Sequence, residues 1–309
     1  MSNDSWTFVY VTDMQPGSPK SYRFKPALLE NWRTARKQII DIKPEFFLIG
    51  GDITRDGTLH RWELEEMKAD FDDMGIPYRA VAGNMDAGNK VTRVEGPRDN
   101  RKDTDIGITS QTLSQYESVF GSSKWTSVHR NVRVSGFCDM LLGSGLDEEK
   151  DLLDWLAQQE SEPRADHHIW LMHYALFVND VDETVFDIRK EEEYHSWYFT
   201  VQQDYRERLL ELFSKTNAER VITGHIHCRK DFYAHGIHFD LAPGTGFSQW
   251  ADHWQDGDPT LGFYRFDVDA EGLRRTFIPL ERVSNRTDGY GPGGHPTPEM
   301  RDYSLAWEK

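Results

Sequence analysis

Cysteine is scarce: Cys138 and Cys228 are the two in a chain of 309 residues. Two thiols cannot build a disulfide framework or a zinc ribbon. Cys228 directly follows His227 and so could lie near a metal, though a small buried residue at a strand end is the plainer reading. Long hydrophobic runs are missing too. No stretch approaches the roughly 18 uninterrupted apolar residues of a membrane span. The segment Met1-Ser2-Asn3-Asp4-Ser5-Trp6 lacks the basic start and apolar core of a signal peptide, so a cytoplasmic protein with no membrane partner is expected. Positive charge is in deficit: 36 Lys and Arg against 52 Asp and Glu give a formal charge of −16. A binder of nucleic-acid polymer needs a basic face, and that partner class is excluded. A small phosphorylated substrate is not, because bound divalent cations reverse the local field around a site.

What the chain does have is apolar material for a large core, with ten Trp and seventeen Phe. Strand-like and helix-like segments alternate from the start. Residues 6–11 form a strand candidate, and Leu28, Trp32, Ala35 and Ile39 recur at helical spacing. A second run at 46–49 precedes Leu59, Trp62, Met67, Phe71 and Met74 on one helical face, and 78–82 is a third strand. This order predicts an α/β domain with parallel strands at its centre. Residues 88–112 are polar and turn-rich and read as a loop or lid; Arg93, Arg98, Arg101 and Lys102 would make it positive. Further on come short strands around 132–143, a helix from Asp147 to Gln159 capped by Asp147, and a strand at 168–172 preceded by His167 in a turn. Val201, Tyr205, Leu209 and Phe213 mark another helix. Four strand-like pieces without helices follow, at 231–234, 237–241, 262–268 and 273–278, and predict a mostly antiparallel closing sheet. One domain over 1–283 is therefore expected. The Gly/Pro-rich tail 284–309 does not pack alone, although Tyr303 and Trp307 could tack it down. No internal repeat is found.

Five of the apolar runs end in metal-ligand chemistry. The motifs are Asp13-Met14-Gln15, Gly50-Gly51-Asp52, Gly83-Asn84-Met85-Asp86, His173, and Gly224-His225-Ile226-His227. Neutral imidazole is the commonest metal ligand. In α/β sheets ligands bind outside the carboxyl ends of the strands, so all five can converge in one crevice. The glycines before Asp52, Asn84 and His225 allow sharp turns and leave room for an ion.

This arrangement resembles the calcineurin-like metallophosphoesterase superfamily, whose pattern runs DxH, GDxx, GNH(D/E), H, GHxH. The resemblance covers about residues 6–280. It is closest to the branch of single-domain calcineurin-like protein phosphatases that carries DPQ in place of DxH; "HYALFVNDVDE" and "GNMDAGN" support that match. The segment Gly51-Asp52-Ile53-Thr54-Arg55-Asp56-Gly57 also resembles bacterial cyclic-nucleotide and glycerophosphodiester phosphodiesterases. The resemblance implies a four-layer α/β/β/α sandwich of two mixed sheets. It also implies two metal ions, one held by Asp13, Gln15, Asp52 and His227, the other by Asp52, Asn84, His173 and His225. Asp52 would bridge them, and a shared hydroxide would attack phosphorus. Two cations roughly 3.5–4 Å apart need such an anionic bridge.

Two positions depart from the pattern. Gln15 stands where most members have histidine; three oxygen donors and one nitrogen favour manganese, iron or magnesium over zinc, and predict a weaker first site. Met85 stands where most members have a proton-donating histidine. A thioether donates no proton, and loss of a general acid costs about 10²–10⁴ in rate. Asp86 is then left with no imidazole to orient. His195 is the candidate replacement donor, with His60 and His129 behind it. Tyr174 could meet a phosphate oxygen, and Phe247, Trp250 and Trp254 could wall the substrate's organic part. The expected function is metal-dependent hydrolysis of a phosphomonoester, with Asp52, Asn84 and His195 at the reaction and a phosphoprotein among the candidate substrates. Diester hydrolysis is the alternative, and a weakly active or non-catalytic metal-binding module the third reading.

Overall fold

A computed structural model of the chain describes residues 5–21, 23–91, 107–183, 186, 190–248, 254 and 256–289. The first third runs β1 (Trp6–Val11), α1 (Pro26–Ile42), β2 (Phe46–Ile49), α2 (Arg61–Asp73), β3 (Tyr78–Ala80) and the single turn α3 (Asn84–Ala87). Then come α4 (Ser110–Phe120), β4 (Lys124–His129), β5 (Val132–Phe137), α5 (Asp147–Gln158), β6 (His167–Leu171), α6 (Glu191–Tyr198) and α7 (Arg206–Lys215). The last strands are β7 (Arg220–Thr223), β8 (Lys230–Ala234), β9 (Ile237–Leu241), β10 (Gly262–Asp269) and β11 (Gly272–Pro279). They form two mixed sheets, ordered β11-β10-β1-β2-β3 and β4-β5-β6-β7-β9-β8.

Side-chain alternation along the strands builds the layers. Phe8 and Tyr10 of β1 join Leu48, Val134, Ile169, Leu171, Ile222 and Phe266 in a core between the sheets. Their neighbours Val9 and Val11 point the other way, into a core with Trp32, Ala35 and Ile39 of α1. Phe47 meets Phe71 of α2 edge-on at 5.7 Å. On the second sheet, Trp170 lies between Trp155 of α5 at 6.1 Å and Phe213 of α7 at 5.2 Å. Strands buried on both faces and helices outside both sheets give the four-layer α/β/β/α sandwich that the sequence implied.

Several local expectations change. The final strands do not close a sheet of their own. β8 and β9 extend the second sheet, with β9 parallel to β7, while β10 runs antiparallel to β1 in the first. Asp147 is not a cap: Leu146 holds that position, and no side chain caps the helix. His167 lies inside β6 rather than in a turn, and His168 is buried with Ser135 and Thr216 as partners. Val201 is buried but precedes the helix, which starts at Arg206. The polar segment 88–112 is shorter than expected, because Asn89 bridges to Gly107 and Thr109 caps α4 by accepting from the Thr112 amide. Arg93, Arg98, Arg101 and Lys102 fall outside the described residues, as do Trp250, Tyr303 and Trp307. No helix among the described residues is long and apolar enough to cross a membrane.

Candidate metal centre

The five motifs meet where their strands end. The Asp13 amide donates to Gly51 O at 3.1 Å and the Gln15 amide to Asp52 O at 3.2 Å, so the two segments lie side by side. Five of the seven candidate ligands sit in the left-handed region: Asp13 (φ 54°), Gln15 (φ 39°), Asp52 (φ 49°), His225 (φ 68°) and His227 (φ 51°). Non-glycine residues avoid that region at a cost of about 1–3 kcal/mol each, and such strain concentrates at functional sites. Here it turns each side chain inward directly after a buried strand. The glycines leave no spare space: a Cβ on Gly83 would stand 2.1 Å from the Asp52 amide nitrogen and 2.2 Å from Asp52 Oδ1. One on Gly224 would be 2.6 Å from Asp13 Oδ2.

Two buried groups of side chains could hold metal ions, Asp13-Asp52-His227 and Asp52-His173-His225, each with ligand atoms within 4.8 Å of one another. Asp52 belongs to both. His173 donates from Nδ1 to Gly50 O at 2.8 Å, which turns Nε2 toward Asp52 Oδ1 and Asn84 Oδ1, each at 3.2 Å. His227 Nδ1 likewise faces Phe247 O at 3.1 Å, with Nε2 at 3.1 Å from Asp13 Oδ1. Backbone acceptors on the outer nitrogen fix tautomers in this way in metal sites.

The donor set fits a cation. His173 Nε2 faces two buried oxygens, Asp52 Oδ1 and Asn84 Oδ1, an arrangement that a proton or a metal ion must bridge. Burial pushes the His173 pKa down, but Asp52, then Asp13 and Asp139, carry it up to about 10. Burial likewise opposes the charged form of Asp13, and His227 leads the interactions that outweigh it and hold the carboxyl below its ordinary value. His225 is the reverse case: burial, followed by His173 and His227, holds its pKa well below the usual range. The Tyr198 backbone bears on its ring, yet neither ring nitrogen completes a hydrogen bond of good geometry. A buried imidazole with both nitrogens unsatisfied costs free energy unless a ligand takes one up.

Gln15 is arranged differently from the implied ligand. Its Oε1 accepts from Arg55 Nη1 at 2.8 Å, and its Nε2 donates to Asp52 Oδ2 at 2.6 Å. A guanidinium only donates, so Arg55 dictates this orientation and turns the amide oxygen away from Asp52. Met85 Sδ has Asn84 Nδ2 at 3.5 Å and Arg23 Nη2 at 3.8 Å. Asp86 has work after all: it accepts from the amides of Ile53, Thr54 and Gly83 and from Thr54 Oγ1, at 2.8–3.1 Å. It ties the two glycine motifs together.

Other candidates separate clearly. His129 pairs with Glu45 and stacks edge-on with Trp6 at the N-terminal end of β1, the end opposite Asp13. His60 precedes α2 as its N-cap residue, its ring tilted against Trp62. His195 lies on α6, and its side chain is outside what the structure describes. Tyr174 is a packed aromatic, edge-on to His225 at 4.2 Å. Phe247 does border the site, edge-on to His227 at 4.4 Å, whereas Trp254 is buried against Phe199. Cys228 is a buried free thiol. Asp139 was missed. It follows the end of β5 and accepts from the amides of His173 and Tyr174, both at 2.9 Å, so it sets the His173 backbone. The signal was present as a sixth apolar run ending in an acid, Gly136-Phe137-Cys138-Asp139.

The sequence profile of the calcineurin-like phosphoesterases matches residues 7–229, from β1 to just past His227. The chain belongs to the calcineurin-like phosphoesterase family, hydrolases of phosphoric esters that depend on a dinuclear metal centre. No curated protein matches the sequence. Among solved structures, it is similar to the purple acid phosphatase PPD1 of yellow lupin (Lupinus luteus) seeds, with TM-score 0.62 and 15% identity over 92% of this chain and 53% of that one. It is also similar to GAP50, the anchor in the inner membrane complex of Plasmodium, with TM-score 0.58 and 11% identity over 93% and 88%. A dimetal phosphatase from Danio rerio aligns with TM-score 0.53 and 13% identity over 89% and 99%. At these identities the likeness is one of fold.

Proposed function

We propose that the chain is a phosphomonoesterase whose two metal ions are held by Asp13, Asp52 and His227 on one side and by Asp52, Asn84, His173 and His225 on the other. The observation that carries this reading is the sharing of one buried carboxylate, Asp52, by two ligand groups. Gln15 stands beside the first group and would offer its oxygen only after the amide turns away from Arg55. The first ion is therefore expected to bind more weakly, and its oxygen-rich donors favour manganese, iron or magnesium, with zinc less suited. When bound, such a pair supplies positive charge for the phosphoryl oxygens and an activated water.

The chain's own residues do the rest. Asp52 holds the two halves in register, and its Oδ1 also accepts from the Met85 amide at 2.9 Å. Gly50 O and Phe247 O orient the imidazoles of His173 and His227. Asn84 presents its oxygen to the His173 side and its nitrogen to Met85. Small phosphorylated compounds suit the site, and phosphoproteins remain within the proposal. The site is proposed to work without a proton donor at position 85; His195 on α6 is the alternative donor, and the leaving-group dependence of the rate decides between the two.

One experiment tests the reading. The metal-free protein is reconstituted with manganese, iron or zinc and assayed on a panel of phosphomonoesters and diesters beside Asp52→Asn. Monoester turnover that Asp52→Asn abolishes supports it; faster turnover of diesters transfers the function to phosphodiester hydrolysis. Met85 favours a second reading, a metal-binding module of little activity, and the Plasmodium protein of similar fold, an anchor, is in keeping with it. Two bound ions without turnover of any ester would establish that reading instead.

A further inference from the structure

Arg55 follows the Asp52 motif by three residues and stands at the edge of the candidate metal centre. Its Nη1 donates to Gln15 Oε1 at 2.8 Å, and its guanidinium lies 5.6 Å from the centre of the Phe247 ring. Gln15 touches Asp52 and Phe247 touches His227, so the guanidinium lies close to the Asp13-Asp52-His227 group. No carboxylate of a described residue is within ion-pair distance of it, and its buried Nε has no hydrogen-bond partner. The acids whose charge reaches it are Asp56, Glu63 and Asp52, and Glu63 is committed to the backbone amides of Arg55 and Asp56 at 3.0 and 2.8 Å. Arg23 lies behind, paired with Asp56 at 2.7 Å, with Nη2 beside Met85 Sδ. A guanidinium keeps its charge at neutral pH. In a chain of net charge −16, a half-buried arginine without an acid partner has an energetic reason to exist if an anion completes it.

We propose that Arg55 is a substrate-recognition residue that binds a phosphoryl oxygen beside the metal centre and makes the site prefer dianionic monoesters to monoanionic diesters. The proposal rests on the phosphoesterase reading and narrows its substrate class. A guanidinium at fixed distance attracts a dianion about twice as strongly as a monoanion. Arginine suits the role because its donors form charge-assisted hydrogen bonds to phosphate oxygens.

The test uses the manganese-loaded full chain and inorganic phosphate, followed by calorimetry, with metal content measured on each sample. Arg55→Met keeps the side chain's length without its charge, and Arg55→Lys keeps the charge. Removing a charge-assisted hydrogen bond should weaken phosphate binding roughly 10- to 100-fold in Arg55→Met. Arg55→Lys should recover part of it. On esters, kcat/KM should fall by a similar factor for monoesters and by about its square root, roughly 3- to 10-fold, for diesters. Phosphate binding unchanged in Arg55→Met at full metal content, or no phosphate binding by the wild type, overturns the proposal. So does an equal loss on both ester classes. Binding is read without turnover: Arg55-dependent phosphate binding in a protein that hydrolyses nothing supports the subsite while the catalytic reading fails. Turnover indifferent to Arg55 does the opposite.

Discussion

Met85 decides how the site can treat a leaving group. Its thioether, flanked by Asn84 Nδ2 and Arg23 Nη2, gives no proton to a departing alkoxide. Aryl phosphates, whose leaving groups are stable as anions, should be hydrolysed much faster than alkyl phosphates. Met85→His is expected to raise kcat/KM on alkyl phosphates by up to about 10²-fold, the low end of a general acid's contribution, and to leave aryl phosphates nearly unchanged. The low end is set by Asp86: its oxygens are taken by Ile53, Thr54 and Gly83, so no free carboxylate would orient a histidine at 85. A rate ratio between the two ester classes that Met85→His leaves intact would mean that another residue, such as His195, already donates the proton.

At the scale of elements, the site is the meeting of strand ends, and the ends of β1, β2, β6 and β7 are held in place by strands buried almost throughout. The Gly83 turn is one of the tight joints. Gly83→Ala would push a methyl group to 2.1 Å from the Asp52 amide nitrogen, so α3 and the β2 end must part. A destabilisation of about 1–3 kcal/mol is expected for this overpacking, read from urea midpoints, together with a fall in bound manganese. The strands that carry the ligands were legible in the sequence because β1, β2, β6 and β7 are short continuous apolar runs closed by glycine or a polar ligand. β4 was not: Lys-Trp-Thr-Ser-Val-His is a sheet edge with no fully buried residue and carries no core pattern. α4 and α6 were hidden for a related reason, since α4 buries only Leu113 and Tyr116 and α6 opens on three glutamates. The pairing of the last strands also escaped reading, because the register that sends β9 to β7 and β10 to β1 is set by contacts distant in sequence. At the site, ligand types could be read from the residues, but the hold of Arg55 on Gln15 and of Asp139 on the His173 backbone could not. Both are contacts between loops that only the folded chain brings together.

For the molecule as a whole, buried titratable groups away from the metal centre pull the pH dependence of stability in opposite directions. His168, 1% exposed between Ser135 and Thr216, has its pKa pushed down to about 4, mainly by burial. Between pH 6.5 and 4 the unfolded chain therefore binds a proton at this position that the folded chain refuses. Stability falls as pH falls through that window, by at most about 3 kcal/mol. Glu63 acts with the other sign. Burial, followed by the charge of Asp56, raises its pKa to about 7. Between about pH 4.5 and 7 the folded chain keeps a proton that the unfolded chain has lost, so stability falls as pH rises. The two slopes overlap near pH 5–6 and partly cancel in the wild type. Single variants separate them. His168→Gln can still donate to Thr216 O and should flatten the acid limb, so that its stability relative to wild type rises from pH 6.5 to 4. Glu63→Gln keeps an acceptor for the Arg55 and Asp56 amides and should gain relative to wild type from pH 4.5 to 7. Urea unfolding of all three proteins at half-unit steps of pH measures both differences. If both variants run parallel to wild type across the range, neither group is coupled to folding as its burial requires.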